Sequence, residues 1–342
     1  MRGARSRGHR EIRFSMPIRI AAIEVGHWHA LYDAAYLKTL SGMPEVQLVG
    51  VQDPDPAMAA QRAAQVGGPP SYTDYREMLS NTRPDFVLAL GRPSTMAGIA
   101  HFLLDHGYPF MMEKPMGVNA LEVRGIADKA ASKGAFVAVP LFQRYHPFVS
   151  HARRMLAEGA FGPVSHFYFR SNRPSSARYV SWGSPWMLDP AVAGGGCLRN
   201  LGIHGVDAFL LLTGEDARVT GAQISSRAHA QPVEDYATLL LRTPSGVLGT
   251  IEVGNTFPAQ GADGEWKLSG RDALLVLRDG VLRSVTAAGE QRLAEQPAEP
   301  LPVIAVRDTL ARWQSGQAPA AGVEDCYRAA RLIDQAYDIA KP

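Results

Sequence analysis

The sequence predicts an α/β domain with a doubly wound parallel sheet, followed by an α+β domain built on an open, mainly antiparallel sheet. Three observations carry this expectation. The chain has 342 residues, enough for about two domains of ~150 residues each. Short apolar runs alternate with stretches of helical spacing through residues 17–140, the pattern of a parallel sheet flanked by helices. Between residues 217 and 285 several alternating strands follow one another with no long helix between them, so neighbouring antiparallel pairing is expected.

Taken in order, the first apolar run is 17–23 (PIRIAAI), which stops at Gly26 and reads as a buried parallel strand. Residues 27–40 (HWHALYDAAYLKTL) have helical spacing. A second strand covers 46–52 and ends at Asp53, with an Ala-rich helix over 56–66. A third strand at 85–90 precedes a helix over 95–106. A fourth at 109–112 stops at Glu113-Lys114-Pro115, and a helix over 119–133 leads to a fifth at 135–139. Open α/β sheets bind ligands at the carboxyl ends of their strands. Gly26, Asp53, Gly91, Glu113 and Lys114 all lie at such ends.

The second half begins with a helix over 147–157 and a strand over 164–170, then an irregular Arg/Ser/Trp-rich stretch over 171–189. Gly194-Gly195-Gly196 opens a helix that runs to 212. Six strands follow at 220–228, 235–242, 246–253, 265–269, 273–278 and 281–286. A Pro-rich linker at 296–302 leads to helices over 303–314 and 323–340. The domains are therefore drawn at 17–140 and 141–322, with a C-terminal helix in 323–342 expected to pack back on the first domain.

Composition narrows the class. Hydrophobic residues make up 46% of the chain and charged residues 20%, which excludes a disordered, fibrous or coiled-coil protein. No apolar run approaches the ~18 residues that a membrane span needs, so no membrane partner is expected. Cys197 and Cys326 are the two cysteines; they make no disulfide framework, zinc ribbon or CxxC motif, and the expected compartment is the cytoplasm. The net charge of +2 hides an asymmetry, because Arg2, Arg5, Arg7, Arg10 and Arg13 against Glu11 give residues 1–15 a charge of +4 and leave −2 for the rest. Residues 1–16 read as a disordered basic tail, and the body has no basic stripe for nucleic acid.

A dinucleotide fingerprint places Gly-x-Gly-x-x-Gly between the first strand and its helix. The corresponding positions are Glu24, Gly26 and His29, so the central glycine, which admits the pyrophosphate, is the one present. Either the Glu24 carboxylate points away and the dinucleotide binds, or it competes with a phosphate at the helix start. Glu24, His27 and His29 are metal-ligand types, but their spacing matches no established site and no metal is expected. Asp53 is placed to accept hydrogen bonds from an adenosine ribose; capping the next helix is the competing role. The following Pro54-Asp55-Pro56 offers no cation for a 2′-phosphate, which favours NAD over NADP.

Glu113-Lys114-Pro115, the stretch from Gly194 to Asp207 (GGGCLRNLGIHGVD), the VQDPDP segment and the turn Phe161-Gly162-Pro163-Val164 together resemble the Gfo/Idh/MocA oxidoreductases, the glucose–fructose oxidoreductase and inositol dehydrogenase group. The resemblance runs from about Pro17 to Ala340. It implies an N-terminal Rossmann domain, a C-terminal open-sheet domain that forms oligomer interfaces, and NAD(P)-linked chemistry on a sugar, polyol or sugar-acid-like substrate. A homodimer or homotetramer is the assembly it implies.

By the same resemblance Lys114 lies beside nicotinamide and substrate, and His204 acts as acid/base on the reacting hydroxyl. An aspartate usually precedes that histidine by four residues; here the position is Asn200. Chemistry supports the pairing, since hydride removal from an alcohol needs a proton acceptor and a positive charge beside the developing alkoxide. Asn200 can orient a partner but cannot relay a proton. Asp207, three residues past His204, shares its helical face and either substitutes in part or is structural.

The expected cofactor contacts are Gly26, His27, Trp28, Asp53, Gly91, Arg92, Glu113 and Lys114. The expected substrate contacts are Arg144, Trp186, Asn200, His204 and Asp207, with Lys114, His204 and Asn200 catalytic. Arg92, Arg144, Arg170, Arg173 and Arg178 together favour an anionic substrate, and Trp182 and Trp186 suit a sugar face or core packing. Two other readings stand beside the dehydrogenase. One is a glycosidase using bound NAD; the other is a non-catalytic relative, for which Glu24 and Asn200 are the evidence.

Overall fold

The computed structural model describes residues 16–293, 297 and 299–340. The basic tail expected at 1–16 lies outside the described residues except for Met16. No helix among the described residues is long and apolar enough to cross a membrane.

The first domain is a six-stranded parallel sheet. Its elements are β1 (Ile18–Ile23), α1 (Tyr36–Ser41), β2 (Val46–Gln52), α2 (Pro56–Ala64), β3 (Ser71–Tyr72), α3 (Tyr75–Thr82), β4 (Phe86–Ala89), α4 (Pro93–Asp105), β5 (Phe110–Met112), α5 (Ala120–Lys133) and β6 (Val137–Ala138). The strand order β3-β2-β1-β4-β5-β6 reverses direction at β1. That reversal opens a crevice between the carboxyl ends of β1 and β4, where such sheets bind ligands. Helices cover both faces, so the strands are apolar nearly throughout; in β1 only Arg19 is exposed.

The first crossover departs from expectation. Residues 27–40 do not form one helix: a 3-10 turn, Trp28–Ala30, precedes the six-residue α1. Local bonding explains the break. His27 Nδ1 accepts the N–H of His29 at 3.1 Å, and Asp33 and Ala35 take left-handed backbone at φ 53° and 48°, which interrupts the helical ladder. Strand β3 and helix α3 fill a region the sequence pattern left blank; Asp74 caps α3 by accepting from Arg76 N at 2.6 Å and Glu77 N at 3.2 Å.

The second domain contains α6 (Pro147–Ala157), β7 (Val164–Asn172), α7 (Ser175–Ser181), α8 (Pro190–Ala193), α9 (Ile203–Thr213), β8 (Arg218–Ser225), β9 (Tyr236–Arg242), β10 (Leu248–Gly254), β11 (Asp263–Gly270), β12 (Ala273–Arg278), β13 (Val281–Thr286) and β14 (Gly289–Arg292). Helices α10 (Leu301–Gln314) and α11 (Val323–Ala340) end the chain. The eight strands run β14-β13-β12-β11-β7-β10-β9-β8. All pairs are antiparallel except β7 with β10.

One face of this sheet, carrying Phe167, Phe169, Ile251, Trp266 and Leu268, is buried against α6 and α9. The opposite face carries the row Leu240, Thr250, Tyr168, Lys267 and Val276, paired strand to strand. The stretch 171–189, read as irregular, holds α7 and a 3-10 turn at Pro185–Leu188. The helix expected from the triple glycine starts as a π-helical turn, Leu198–Gly202, and continues as α9. Helix α11 packs on α5 of the first domain and on α9 and β8 of the second; Asp334 joins them, accepting from Ala120 N at 2.6 Å and from Arg199 at 2.5 Å.

Candidate active site

Gly26 ends the turn after β1. Its N–H donates to Asp53 Oδ2 at 2.7 Å, and a Cβ at this position would sit 2.7 Å from the same oxygen, so only glycine lets the turn close here. Asp53, buried at the carboxyl end of β2, also accepts from Asp55 N at 3.1 Å. Its carboxylate is thereby fixed at the edge of a groove of about 110 Å³, walled by Gly26, His27, Gly91 and Arg92 and roofed by Gly183 and Trp186 of the second domain.

Glu24 lines the same groove, with its carboxylate tied to the start of α4. From left-handed backbone at φ 52° its carboxylate accepts from Arg92 N at 2.9 Å and Thr95 Oγ1 at 3.0 Å, and so caps the start of α4, where the helix dipole favours an anion. Burial raises its pKa and those bonds oppose the rise. A closed glycine turn, a fixed carboxylate at the second strand and a groove between them fit a dinucleotide.

Deeper in the cleft, Lys114, Asn200 and His204 line one cavity of about 160 Å³ with Trp28, His29, Asp33, Phe142, Arg173, Tyr179 and Trp182. Lys114 Nζ donates to the backbone oxygen of Asn200 at 3.0 Å and to its Oδ1. Burial lowers the Lys114 pKa, while Glu113 acts to raise it. Asn200 Nδ2 in turn donates to the Tyr179 hydroxyl at 2.5 Å. His204 packs against Phe142, and its buried Nδ1 has no hydrogen-bond partner among the described residues. Burial, then the positive charge of Lys114, holds its pKa well below the ordinary imidazole value. At neutral pH His204 is a free imidazole.

A second histidine lies in the same cavity. His29 Nδ1 is 3.2 Å from Glu113 Oε2, and Tyr36 OH donates to Glu113 Oε1 at 3.3 Å. At the cavity edge Arg173 pairs with Asp33 at 2.8 Å, joining the two domains. His27 stacks on Trp28 with ring centroids 4.0 Å apart, and Trp186 lies 5.7 Å from Trp28. Burial lowers the His27 pKa well below its usual value, so this ring is neutral as well.

Several expected residues stand elsewhere or have other partners in the structure; Trp28, expected at the cofactor, lines the deeper cavity and not the groove. Arg144 does not reach the substrate cavity: it binds Asp207 through two hydrogen bonds of 2.9 and 2.5 Å, Asp325 at 2.8 Å and the Ala320 carbonyl at 2.6 Å. Asp207 is therefore spent on Arg144 and does not serve His204. Glu113 is buried behind His29 and Tyr36 and does not line the nucleotide groove. Trp186 roofs that groove and is absent from the substrate cavity's wall. Of the five arginines offered for an anionic substrate, Arg173 alone lines the cavity.

Tyr179 is a residue that sequence reasoning passed over, and His29 was weighed there only as a fingerprint position and a metal-ligand type. The substitution of histidine for the fingerprint's third glycine was a signal for His29, while Tyr179 sits in a stretch without periodicity.

Two family models match the chain. An oxidoreductase family with an NAD-binding Rossmann fold covers residues 19–141, and a GFO/IDH/MocA C-terminal domain covers 149–276. The trans-1,2-dihydrobenzene-1,2-diol dehydrogenase of Oryctolagus cuniculus is 31% identical over 242 residues, spanning 67% of this chain and 70% of that protein. Rhizopine catabolism protein MocA of Rhizobium meliloti is 26% identical, spanning 62% and 65%. An oxidoreductase from Agrobacterium radiobacter, solved with NAD+, L-tartaric acid and magnesium, superposes with a TM-score of 0.84 at 17% identity over 95% of this chain and 96% of that one. Levoglucosan dehydrogenase with NADH and levoglucosan gives 0.81 at 20% identity over 95% and 97%. These structural likenesses establish the fold.

Proposed function

The chain belongs to the Gfo/Idh/MocA oxidoreductase family, and from that premise we propose that it transfers hydride between NAD and a hydroxyl-bearing carbon of a small ring diol, sugar or polyol. One observation carries this reading: Lys114, Asn200 and His204 meet in one cavity walled by Trp28, Phe142, Tyr179 and Trp182. Flat aromatic walls suit a six-membered ring. The names of the relatives, a dihydrodiol dehydrogenase and a levoglucosan dehydrogenase, support the same substrate class. NAD is favoured over NADP because the carboxylate of Asp53, held by two backbone N–H groups, suits a ribose diol and repels a 2′-phosphate.

Gly26, His27, Gly91 and Asp53 would hold the dinucleotide, and its nicotinamide supplies the hydride acceptor. The chain's own residues handle the oxygen. Lys114 has two described hydrogen bonds, both to Asn200, which leaves its third N–H for the substrate oxygen. His204, neutral and with Nδ1 unpartnered among the described residues, accepts the hydroxyl proton. Asn200 holds the ammonium on one side and the Tyr179 hydroxyl on the other, so it serves by position without a charge. Asn200 thus has work compatible with catalysis, and the Glu24 carboxylate, which lines the groove, is engaged by Arg92 and Thr95. The two buried free thiols, Cys197 and Cys326, support a reducing compartment.

Lys114→Ala and His204→Ala test the reading. Each is expected to lower turnover on the order of 10²-fold or more while circular dichroism and NAD binding stay near the parent's. Turnover is followed as NADH absorbance over a panel of cyclic diols, inositols and aldoses. Parental turnover in both variants would overturn the assignment.

A further inference from the structure

The cavity contains two imidazoles of unlike surroundings. His204, on the second domain, has no carboxylate hydrogen-bonded to its Nδ1 among the described residues, and Asp207 is bound to Arg144. A proton placed on its ring would face the Lys114 ammonium, which acts to lower the ring's pKa. His29, on the first domain, has what His204 lacks. Its Nδ1 meets Glu113 at 3.2 Å, and that carboxylate is almost fully buried and held from behind by Tyr36. Burial and Glu113 push the Tyr36 phenol well above its usual pKa, so it remains a donor.

The His29 ring is rigidly placed. Its backbone N–H is tied to His27 Nδ1 at 3.1 Å, and Trp28 packs on it with ring centroids 4.6 Å apart. Against a carboxylate Nδ1 is the donor, which leaves Nε2 as the accepting nitrogen. The charged or titratable neighbours of this ring are Glu113, Tyr36 and His27 by direct contact, with Lys114, His204, Asp33, Arg173 and Tyr179 around the shared cavity.

We propose that His29, backed by Glu113, is a second base of the site, which takes over the proton released by the substrate hydroxyl. The proposal rests on the dehydrogenase reading above. In the oxidative direction the substrate C–H bond breaks and its electron pair leaves as hydride to the nicotinamide. The O–H bond breaks, the carbonyl forms, and the proton goes to His204. The N–H so formed on His204 then breaks, and a new N–H forms on His29 Nε2, where Glu113 balances the charge. A carboxylate behind an imidazole both fixes its tautomer and stabilises the cation.

His29→Gln and Glu113→Gln test this. In the parent, free of any ligand, side-chain ¹⁵N NMR should show His29 as the Nδ1–H tautomer, and Glu113→Gln should abolish that preference. In turnover, His29→Gln should lower kcat on the order of 10²-fold with KM and NAD affinity little changed, and added imidazole should restore part of the loss. Glu113→Gln should do the same to a smaller extent and alter the pH profile of kcat. A merely structural pair would instead give an equal loss at every pH, no imidazole rescue and weakened NAD binding, and that result overturns the proposal. So does parental kcat in His29→Gln. If Lys114→Ala and His204→Ala are inactive in that case, the dehydrogenase reading stands without its second base.

Discussion

The carboxylate of Asp207 lies three residues beyond His204, yet it is committed to the Arg144 guanidinium, in a pair whose side chains are 3% and 11% exposed. Removing one partner of a buried ion pair leaves an uncompensated charge, at a cost of about 3–5 kcal/mol. Asp325 and the Ala320 carbonyl remain on Arg144, so Asp207→Ala is expected near the lower end, about 3 kcal/mol. Urea unfolding measures it, and a loss under about 0.5 kcal/mol, the size of an exposed pair, would contradict the buried-network description. This residue also marks where sequence reading stops. Lys114, Asn200 and His204 could be picked out because their motifs fix both residue type and place along the chain. Which arginine meets which aspartate depends on the packing of α9 against the 3-10 turn at Phe142–Tyr145, and no spacing rule carries that.

Helix α6 shows a different use of histidine. His146 precedes it and caps it, accepting the Phe148 N–H on Nδ1 at 3.0 Å while stacking on Trp266. Protonation would turn that acceptor into a donor. Burial pushes the His146 pKa down from 6.5 to about 4, so the unfolded chain binds the proton more readily than the folded one. The corresponding stability is fully present above pH ~6.5 and is lost as pH falls toward ~4, about 3 kcal/mol when complete. In His146→Asn the amide oxygen keeps the cap without titrating. Its loss of stability between those pH values should be smaller than the parent's by about that amount, as read from denaturant midpoints; an unchanged difference would remove His146 from the explanation. At this scale α6 and α11 were legible to the residue, because Pro147 and a strong amphipathic period mark them. The first crossover was not, because side-chain bonding by His27 and the left-handed residues Asp33 and Ala35 override local helical spacing.

At the scale of the molecule, the alternation of strand and helix made the doubly wound sheet legible, and successive short strands did the same for the second sheet. The lone parallel pairing of β7 with β10 was not, since it joins strands about 80 residues apart and depends on topology alone. The row through Leu240, Tyr168, Lys267 and Val276 lies on the face that α6 and α9 leave uncovered, where Leu240 is 44% and Leu248 47% exposed. We propose that a second copy of the chain covers this face. Such an assembly ties folding to mass action, because unfolding then also separates subunits. The thermal midpoint should rise as the protein is made more concentrated, and Leu240→Asp with Leu248→Asp should flatten that rise. A midpoint indifferent to concentration in the parent, with light scattering giving a single-chain mass, would leave the sheet facing solvent.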